Sequence, residues 1–223
     1  AAFAETDIYI TNSIAAKLGA RMEHSSLINK VNIVPRISLA YKLGEKGQVS
    51  LAYGIFYQKP ERNQLAITQN LDYTKATHYI ANYQKLTATK TFRVEAFYKK
   101  YEDLVKLSPA LNNSGNGFAK GVEFFWRDKK TFKGVDYWIS YSFLDTKRDY
   151  LNYPYALQPN FAANHTVSLV VKKFITNWKT QFNASYTFAT GRPYYDFRFN
   201  ATENKFDVAD QGKTKSYNNL SLS

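Results

Sequence analysis

The 223-residue chain contains no cysteine, one methionine and three histidines. The missing cysteines exclude a disulfide scaffold, a thiolate zinc site and a cysteine nucleophile. His24, His78 and His165 show no metal-ligand spacing such as i, i+4, so we expect no metal site. Ser168 could pair with His165, but no orienting acid is evident in the sequence. We therefore expect neither enzymatic activity nor a cofactor.

Long apolar runs are also absent. The longest uncharged stretch, from Tyr150 to Val171, is interrupted by Pro154 and Pro159 and contains several asparagines. Such a segment does not form a membrane-spanning helix, which needs about 20 predominantly apolar residues. If the chain lies in a membrane, it must do so as a β-barrel, because only helices and closed barrels satisfy the backbone hydrogen bonds in lipid.

Acidic residues are few: 18 Asp and Glu stand against 30 Lys and Arg, which gives a net charge of +12. Such a charge raises the question of nucleic-acid binding. The basic residues, however, are spread along the chain, often alternate with apolar ones, and form no run of five. This distribution argues against a nucleic-acid partner.

The clearest positive signal is alternation with a period of two over long segments. In the segment from Gln48 to Gln58, every second residue is apolar or aromatic, and the residues between are mostly small or polar. Successive side chains of a strand point to opposite faces, so the pattern predicts a strand with one apolar face. Four further segments alternate in the same way. A content of 17% aromatic residues fits many strands.

The pattern predicts an all-β fold with about eleven strands, joined by connections that alternate between short and long. The predicted strands span residues 2–10, 14–24, 35–43, 48–58, 76–87, 91–104, 118–128, 135–145, 164–174, 178–190 and 216–223. Most have the length of a tilted transmembrane strand, about 9–11 residues, rather than the about 5–6 usual in soluble sheets. The long connections are Ser25–Val34, Lys59–Lys75, Ser108–Gly117, Thr146–Asn164 and Pro193–Lys215.

Long loops on one rim and short turns on the other are typical of an outer-membrane barrel. We therefore predict a transmembrane antiparallel up-and-down β-barrel in the outer membrane of a Gram-negative bacterium, in contact with its lipid. Eleven strands cannot close a single-chain bacterial barrel, which has an even number. We expect residues 1–223 to be a segment of one barrel domain, without a plug and without the last strands.

Several stretches resemble the barrel of TonB-dependent receptors, particularly those of Bacteroidetes-type bacteria. The stretches that carry the resemblance are Val34–Tyr41 with Tyr53–Pro60, Phe92–Val105, Gly117–Glu123, Asn164–Val167 and Ala189–Tyr194. The resemblance implies a 22-stranded barrel, of which this would be roughly the second half. It also implies an N-terminal plug, uptake driven by the TonB–ExbB–ExbD complex through that plug, and in many members a surface lipoprotein partner.

Two sets of residues are candidates for function. The first set is a charge network that lines the lumen and holds neighbouring strands or a plug, as is general for polar barrel interiors. It consists of Arg21, Glu23, Arg36, Lys42, Arg93, Glu95, Lys99, Glu123 and Arg127. The second set lies toward the long-loop rim, where loops on a rigid scaffold bind ligands. It consists of Phe56, Gln58, Asn63, Gln64, Tyr101, Tyr195 and Phe197.

The function that these patterns favour is an outer-membrane receptor and transporter for TonB-dependent uptake of a scarce solute. Two alternatives stay open: a structural or interaction subunit of a larger outer-membrane complex that no longer transports, and a passive porin. Siderophore, vitamin, glycan and peptide are all possible ligands. Aromatic and amide side chains near the loops would suit glycans or similar polar molecules.

Overall fold

A computed structural model describes all 223 residues, and most of them lie in antiparallel strands. One short helix and one 3₁₀ turn interrupt the strands. The elements are β1 (Ala2–Tyr9), β2 (Ile14–Ser25), β3 (Lys30–Leu43), β4 (Gly47–Gln58), α1 (Arg62–Ile67), β5 (Thr74–Leu86), β6 (Lys90–Lys106), β7 (Asn112–Asp128), β8 (Val135–Asp149), β9 (His165–Ile175), the 3₁₀ turn Thr176–Trp178, β10 (Thr180–Ala189), β11 (Pro193–Asn200), β12 (Lys205–Lys213) and β13 (Tyr217–Leu222).

Eleven of the strands form one sheet in which each strand pairs with its neighbour in sequence, from β1 to β10, and β13 follows β10. The remaining two strands, β11 and β12, form a separate hairpin between β10 and β13. This up-and-down order confirms the predicted fold class, and the sheet is not closed within this chain. No helix in the structure has the length and apolar character that crossing a membrane requires.

The register divides the sheet into an apolar face and a polar face. Residues directly opposite each other in an antiparallel pair point to the same side. One continuous row across six strands is apolar: Leu39, Leu51, Ala81, Ala96, Val122 and Phe143. The adjacent row on the other side is polar apart from its first member: Ala40, Ser50, Asn82, Glu95, Glu123 and Ser142. Outer-membrane barrels direct the first kind of face to lipid and the second to the lumen.

The apolar face is not covered by any other part of the chain. Ile37 and Leu51 are 49% and 54% exposed, although they lie near the middle of the long strands β3 and β4. A contiguous apolar surface of this kind indicates contact with a membrane or a partner. The buried apolar side chains gather at the long-loop rim instead, where Tyr73, Leu104 and Tyr153 lie beneath the loops.

All eleven predicted sheet strands are present, and several reach further toward the long-loop rim than the sequence pattern indicated. β3 begins at Lys30 rather than residue 35, and β7 begins at Asn112 rather than residue 118. At β7 the prediction was wrong because the Asn- and Gly-rich segment 112–117 was interpreted as a loop. A Cβ atom on Gly115 would lie only 2.4 Å from the carbonyl oxygen of Asp149. Glycine at this position permits close strand approach.

Two elements within the predicted long loops were missed. The segment Lys59–Lys75 contains α1, and the segment Pro193–Lys215 contains the β11–β12 hairpin. The hairpin is antiparallel, with a register shift at Asp196. Both elements lie at the long-loop rim, so they shape the mouth of the barrel and leave its wall unchanged.

Gly121 provides a test of the packing on the polar face. A Cβ atom at this position would lie 2.1 Å from the carbonyl oxygen of Phe143 and 2.8 Å from Cζ of Phe97. Gly121→Val is therefore expected to destabilise the barrel by about 1–3 kcal/mol, the usual effect of overpacking. The urea midpoint of unfolding in detergent or lipid measures this change. Ala20→Val, on the exposed apolar face of β2, is the matched control, and an equal shift in both variants would contradict the packing argument.

Candidate functional site on the polar face

Basic side chains run across the polar face toward the long-loop rim. Arg36 of β3 lies opposite Gly54, Gly54 lies opposite His78, and His78 lies opposite Lys99 of β6. One step nearer the rim, Gly117 stands between Tyr101 and Arg148 of β8. We call Arg36, His78, Lys99 and Arg148 the basic row. It spans β3 to β8, so the geometry places several positive or protonatable groups on one wall.

Phe56 lies within the basic row. Its ring centroid is 4.9 Å from Cζ of Arg36 and 4.4 Å from the imidazole centroid of His78. Gly54 makes this position possible, because a Cβ atom there would lie 3.2 Å from Cε2 of Phe56. The guanidinium makes a cation–π contact with this ring, and its Nε atom is buried without a hydrogen-bond partner.

Arg148 is surrounded by aromatic rings. Its Cζ atom lies 4.4 Å from the ring centroid of Tyr101, 5.5 Å from that of Phe161 and 5.8 Å from that of Tyr150. Its Nε atom is buried and has no hydrogen-bond partner. A buried charged donor without a partner is costly. Arg148 also lines a cavity together with Lys99, where a carboxylate, phenolate or phosphate oxygen would be an acceptor for the rest of its guanidinium.

Two cavities are lined in part by residues of the basic row. One, of about 250 Å³, is lined by Lys99, Tyr101, Glu123, Arg148 and Phe161 among others. The other, of about 340 Å³, is lined by Glu5, Lys17, Arg36, Phe56 and His78 among others. Each cavity contains a single carboxylate beside at least two basic groups. This surface suits an anionic molecule that also has aromatic or apolar parts.

The connection 150–164 and the β11–β12 hairpin pack on each other at the rim. The Tyr153 ring centroid lies 5.3 Å from that of Phe197 and 5.9 Å from that of Tyr195. The Tyr195 hydroxyl donates a hydrogen bond to the carbonyl oxygen of Gln158 at 3.0 Å. Burial raises the pKa of Tyr195 and of Tyr150 above the ordinary value for tyrosine. Both hydroxyls therefore stay protonated at neutral pH.

A second contact ties the loops to the sheet. Lys30 at the start of β3 forms an ion pair with Asp72. The backbone N–H of Asp72 donates to Oδ1 of Asn113 at 2.7 Å, and Asn113 Nδ2 donates to the carbonyl oxygen of Asp103 at 2.8 Å. Burial alone would raise the pKa of Asp72, but the hydrogen bonds from Lys30 and from the Tyr73 N–H outweigh it and lower the pKa.

The predicted ligand contacts have different surroundings. Phe56 and Tyr101 lie on one polar-face row, with Ala76 between them, and Gln58 stands one step nearer the rim. Asn63 is exposed on α1. Tyr195 and Phe197 pack against Tyr153 as described above.

Gln64 was not a good candidate. It is buried, and its Oε1 accepts the backbone N–H of Glu61 at 3.0 Å, which closes the capping box of α1. Its side chain therefore stabilises the start of the helix. It is not free to contact a ligand.

All nine residues of the predicted charge network share the polar face. Their contacts are local: Arg127 makes a bidentate pair with Asp136 at 2.6 and 2.9 Å, and Arg21 pairs with Glu23 at 2.6 Å. Asn82 donates to Glu95 at 3.2 Å. The structure thus shows separate pairs and not one continuous network. A role of these residues in holding a plug stays a prediction.

Sequence reasoning missed His78 and Arg148 as ligand candidates. His78 lies in β5, where residues 77–85 give no clear alternating face, and Arg148 falls in a segment predicted to be a loop. The alternation of β8 could have revealed Arg148, because Ser142, Leu144 and Thr146 continue to it on one face. No group of three or more His, Asp or Glu side chains lies where it could hold a metal ion.

Tyr153→Ala is expected to release the β11–β12 hairpin from the connection 150–164, because it removes both aromatic contacts. Cleavage by trypsin at Arg198 or Lys205 in the folded protein should then accelerate by at least about tenfold, since local opening controls such cleavage. Tyr194→Ala is the control, because Tyr194 is 46% exposed on the same hairpin. Equal cleavage of both variants and the parent would show that Tyr153 does not hold the hairpin.

The comparison with known families is decisive. The family model described as "TonB dependent receptor-like, beta-barrel" matches residues 1–223. The chain belongs to this family. TonB-dependent receptors are proteins of the Gram-negative outer membrane and act in transport, so the expected localisation and the expected absence of enzymatic activity are confirmed by family membership. The narrower assignment to Bacteroidetes-type bacteria stays a prediction.

Solved TonB-dependent receptors have the same fold. The ferric enterobactin receptor of Pseudomonas aeruginosa, as a G324V mutant, matches with a TM-score of 0.79 at 13% identity, over 99% of this chain and 36% of that chain. The ferric-catecholate import receptor of E. coli K12 matches with a TM-score of 0.76 at 12% identity, over 99% and 37%. The ferric yersiniabactin uptake receptor of Yersinia pestis matches with a TM-score of 0.72 at 16% identity, over 99% and 36%.

These similarities show the fold alone, because the identities are low. The chain spans little more than a third of the length of each of these receptors. No curated protein matches the chain significantly in sequence.

Proposed function

We propose that the protein is an outer-membrane receptor for TonB-dependent uptake of a scarce, anionic solute with aromatic or apolar parts. The observation that carries this proposal is the basic row with its aromatic neighbours, placed on the polar face just below the loops. Arg36 and Arg148 contact rings while keeping donors available, and Lys99 lies between them. A ferric siderophore of the catecholate type has this combination of charge and aromatic surface.

The location of the row supports uptake rather than a surface interaction. Phe161 of the connection 150–164 lies beside Arg148, and this connection packs on the β11–β12 hairpin, so a ligand bound at Arg148 would be partly shielded from water. Charge interactions strengthen where water is excluded. The loops would make the first contact, and the basic row would hold the ligand on its way into the lumen.

We propose further that residues 1–223 form one segment of a barrel domain that other parts of the protein complete. In support, β1 and β13 are each paired on one side only, and an open edge within lipid is not viable. The plug would lie against the polar face, and the TonB–ExbB–ExbD complex would act through it. A surface lipoprotein above the rim stays a prediction from resemblance.

Uptake assays in the native host test the proposed function. The probe is the radiolabelled ferric complex of a tris-catecholate, compared with a neutral maltooligosaccharide. Uptake of the ferric complex that requires both this receptor and TonB is the expected result. Entry of both probes without TonB would indicate a passive porin. Failure of the purified receptor to bind the ferric complex would contradict the proposed ligand class, and co-purification of large partners without any uptake would favour a structural subunit.

A further inference from the structure

An apolar groove of about 570 Å³ lies on the apolar face across β3 to β6. Ala81 and Ala96 lie directly opposite each other, and both contribute to the groove. Tyr53, Tyr79 and Tyr98 stand beside them in the next row toward the long loops, with ring centroids 5.3 and 6.3 Å apart. Small side chains beside large ones leave a furrow in the wall that can hold an extended hydrocarbon chain.

Lysines stand on the same face nearer the long-loop rim. Lys120 lies opposite Tyr98 and Asp145, and Phe118 in the next row lies opposite Lys100 and Lys147. Lys75 lies opposite Glu102, one row further toward the rim. We call Lys75, Lys100, Lys120 and Lys147 the lysine cluster. Phe118 stands among them, with its ring centroid 5.4 Å from Nζ of Lys120.

Carboxylates neutralise only part of this charge. Glu102 forms ion pairs with Lys100 at 2.8 Å and with Lys75 at 3.4 Å, and Asp145 forms one with Lys120 at 3.3 Å. Lys147 is exposed and forms no ion pair among the salt bridges of the structure. The four lysines thus exceed their two carboxylate partners, and the cluster retains net positive charge toward the membrane side.

From the middle of the wall to the long-loop rim, alanines, tyrosines and lysines follow one another in the order in which acyl chains, interface and phosphates occur in one leaflet of a membrane. Ala96 and Lys100 are four residues apart on β6, which corresponds to about 13 Å along the strand and about 10 Å along the membrane normal at the usual strand tilt of about 35–45°. Half of a typical hydrocarbon core measures about 15 Å, and amphipathic aromatic rings favour its boundary with the headgroups. The alanines therefore lie at acyl-chain depth, the tyrosines at the boundary and the lysines at the level of lipid phosphates.

We propose that the groove and the lysine cluster form one binding site for a phosphorylated lipid of the outer leaflet. An acyl chain lies in the groove beside Ala81 and Ala96, and the headgroup phosphate contacts Lys100, Lys120 and Lys147. Basic groups next to a membrane-embedded groove are the arrangement that binds anionic headgroups. The site faces away from the lumen, so it does not depend on the proposed uptake function.

Native mass spectrometry of the full-length receptor in detergent tests this site. The probes are a bis-phosphorylated glycolipid, the same lipid after enzymatic dephosphorylation, and inorganic phosphate. The variant Lys100→Gln/Lys120→Gln/Lys147→Gln is expected to bind the phosphorylated lipid at least about tenfold more weakly than the parent. The charge-matched control is Lys85→Gln/Lys133→Gln/Lys173→Gln, which removes three exposed lysines near the short-turn rim and is expected to bind like the parent.

A second variant separates the two halves of the site. Ala96→Phe fills the groove and is expected to weaken binding of the phosphorylated lipid while leaving the lysines in place. Equal binding of the phosphorylated and dephosphorylated lipids by the parent would overturn the proposal, because the groove would then hold bulk lipid only. Equal weakening by the control variant, or complete displacement of the lipid by millimolar inorganic phosphate, would also overturn it. Heat modifiability on gels shows that each variant is folded.

Discussion

Leu51→Arg is expected to destabilise the folded barrel by roughly 2–4 kcal/mol, the effect of a basic residue on the lipid face near the bilayer midplane. Leu51 lies opposite Leu39 and Ala81 on the apolar face and is 54% exposed. In a membrane that exposed surface contacts hydrocarbon, so the guanidinium would lose its hydration. The urea midpoint of refolding into lipid vesicles measures the change.

The neighbouring residue provides the control. Ser50→Arg places the same side chain one position away, on the polar face opposite Ala40 and Asn82. We expect it to shift the free energy of unfolding by less than about 1 kcal/mol, because the lumen is hydrated and tolerates charge. A larger effect of Ser50→Arg than of Leu51→Arg would mean that the two faces are assigned the wrong way round.

The second large effect concerns the basic row. The combined variant Arg36→Gln, Lys99→Gln and Arg148→Gln is expected to lower the affinity of the receptor for the ferric tris-catecholate by at least about a hundredfold. Hydrogen bonds to charged groups contribute about 1.5–3 kcal/mol each, and tenfold in affinity corresponds to 1.4 kcal/mol. Equilibrium binding to the purified receptor measures the loss, and uptake in cells should decrease with it.

Two comparisons make this test specific. Arg148→Lys keeps the charge but removes the planar fork that stacks on Tyr101, so we expect an intermediate affinity. The control variant Arg21→Gln, Lys42→Gln and Arg93→Gln removes three positive charges from the same polar face outside the two cavities of the basic row. If the control weakens binding as much as the basic-row variant, general lumen charge and not this site would determine affinity.

The wall of the barrel was predictable from sequence because its signal is local. Each strand has one side in lipid and one in water, so alternation appears within single segments such as Gln48–Gln58 and needs no knowledge of partners. Even β5, whose alternation is unclear, was placed within two residues at its start and one at its end. The nine charges assigned to the lumen share a face for the same reason.

The rim was less predictable because distant partners determine it. Gly115 and Gly117 lie in β7 where carbonyl groups of β8 pass too close for a Cβ atom, and the segment itself does not reveal that partner strand. The β11–β12 hairpin is held in part by Tyr153, about forty residues earlier. The environment of Arg148 combines Tyr101 and Phe161 from separate segments, and composition alone does not reveal such contacts.

The accessibility of single cysteines along β4 shows whether the sheet is a membrane-spanning wall with a polar lumen, and the cysteine-free chain is well suited to this measurement. Spin labels at successive positions from Gln48 to Tyr57, in the receptor reconstituted in lipid, report contact with apolar oxygen or with a polar nickel chelate. We predict strict alternation: labels at Val49, Leu51, Tyr53 and Ile55 contact lipid, and labels at Gln48, Ser50, Ala52 and Gly54 contact water. Absence of alternation, or alternation in the opposite phase, would contradict a membrane-spanning wall with a polar lumen.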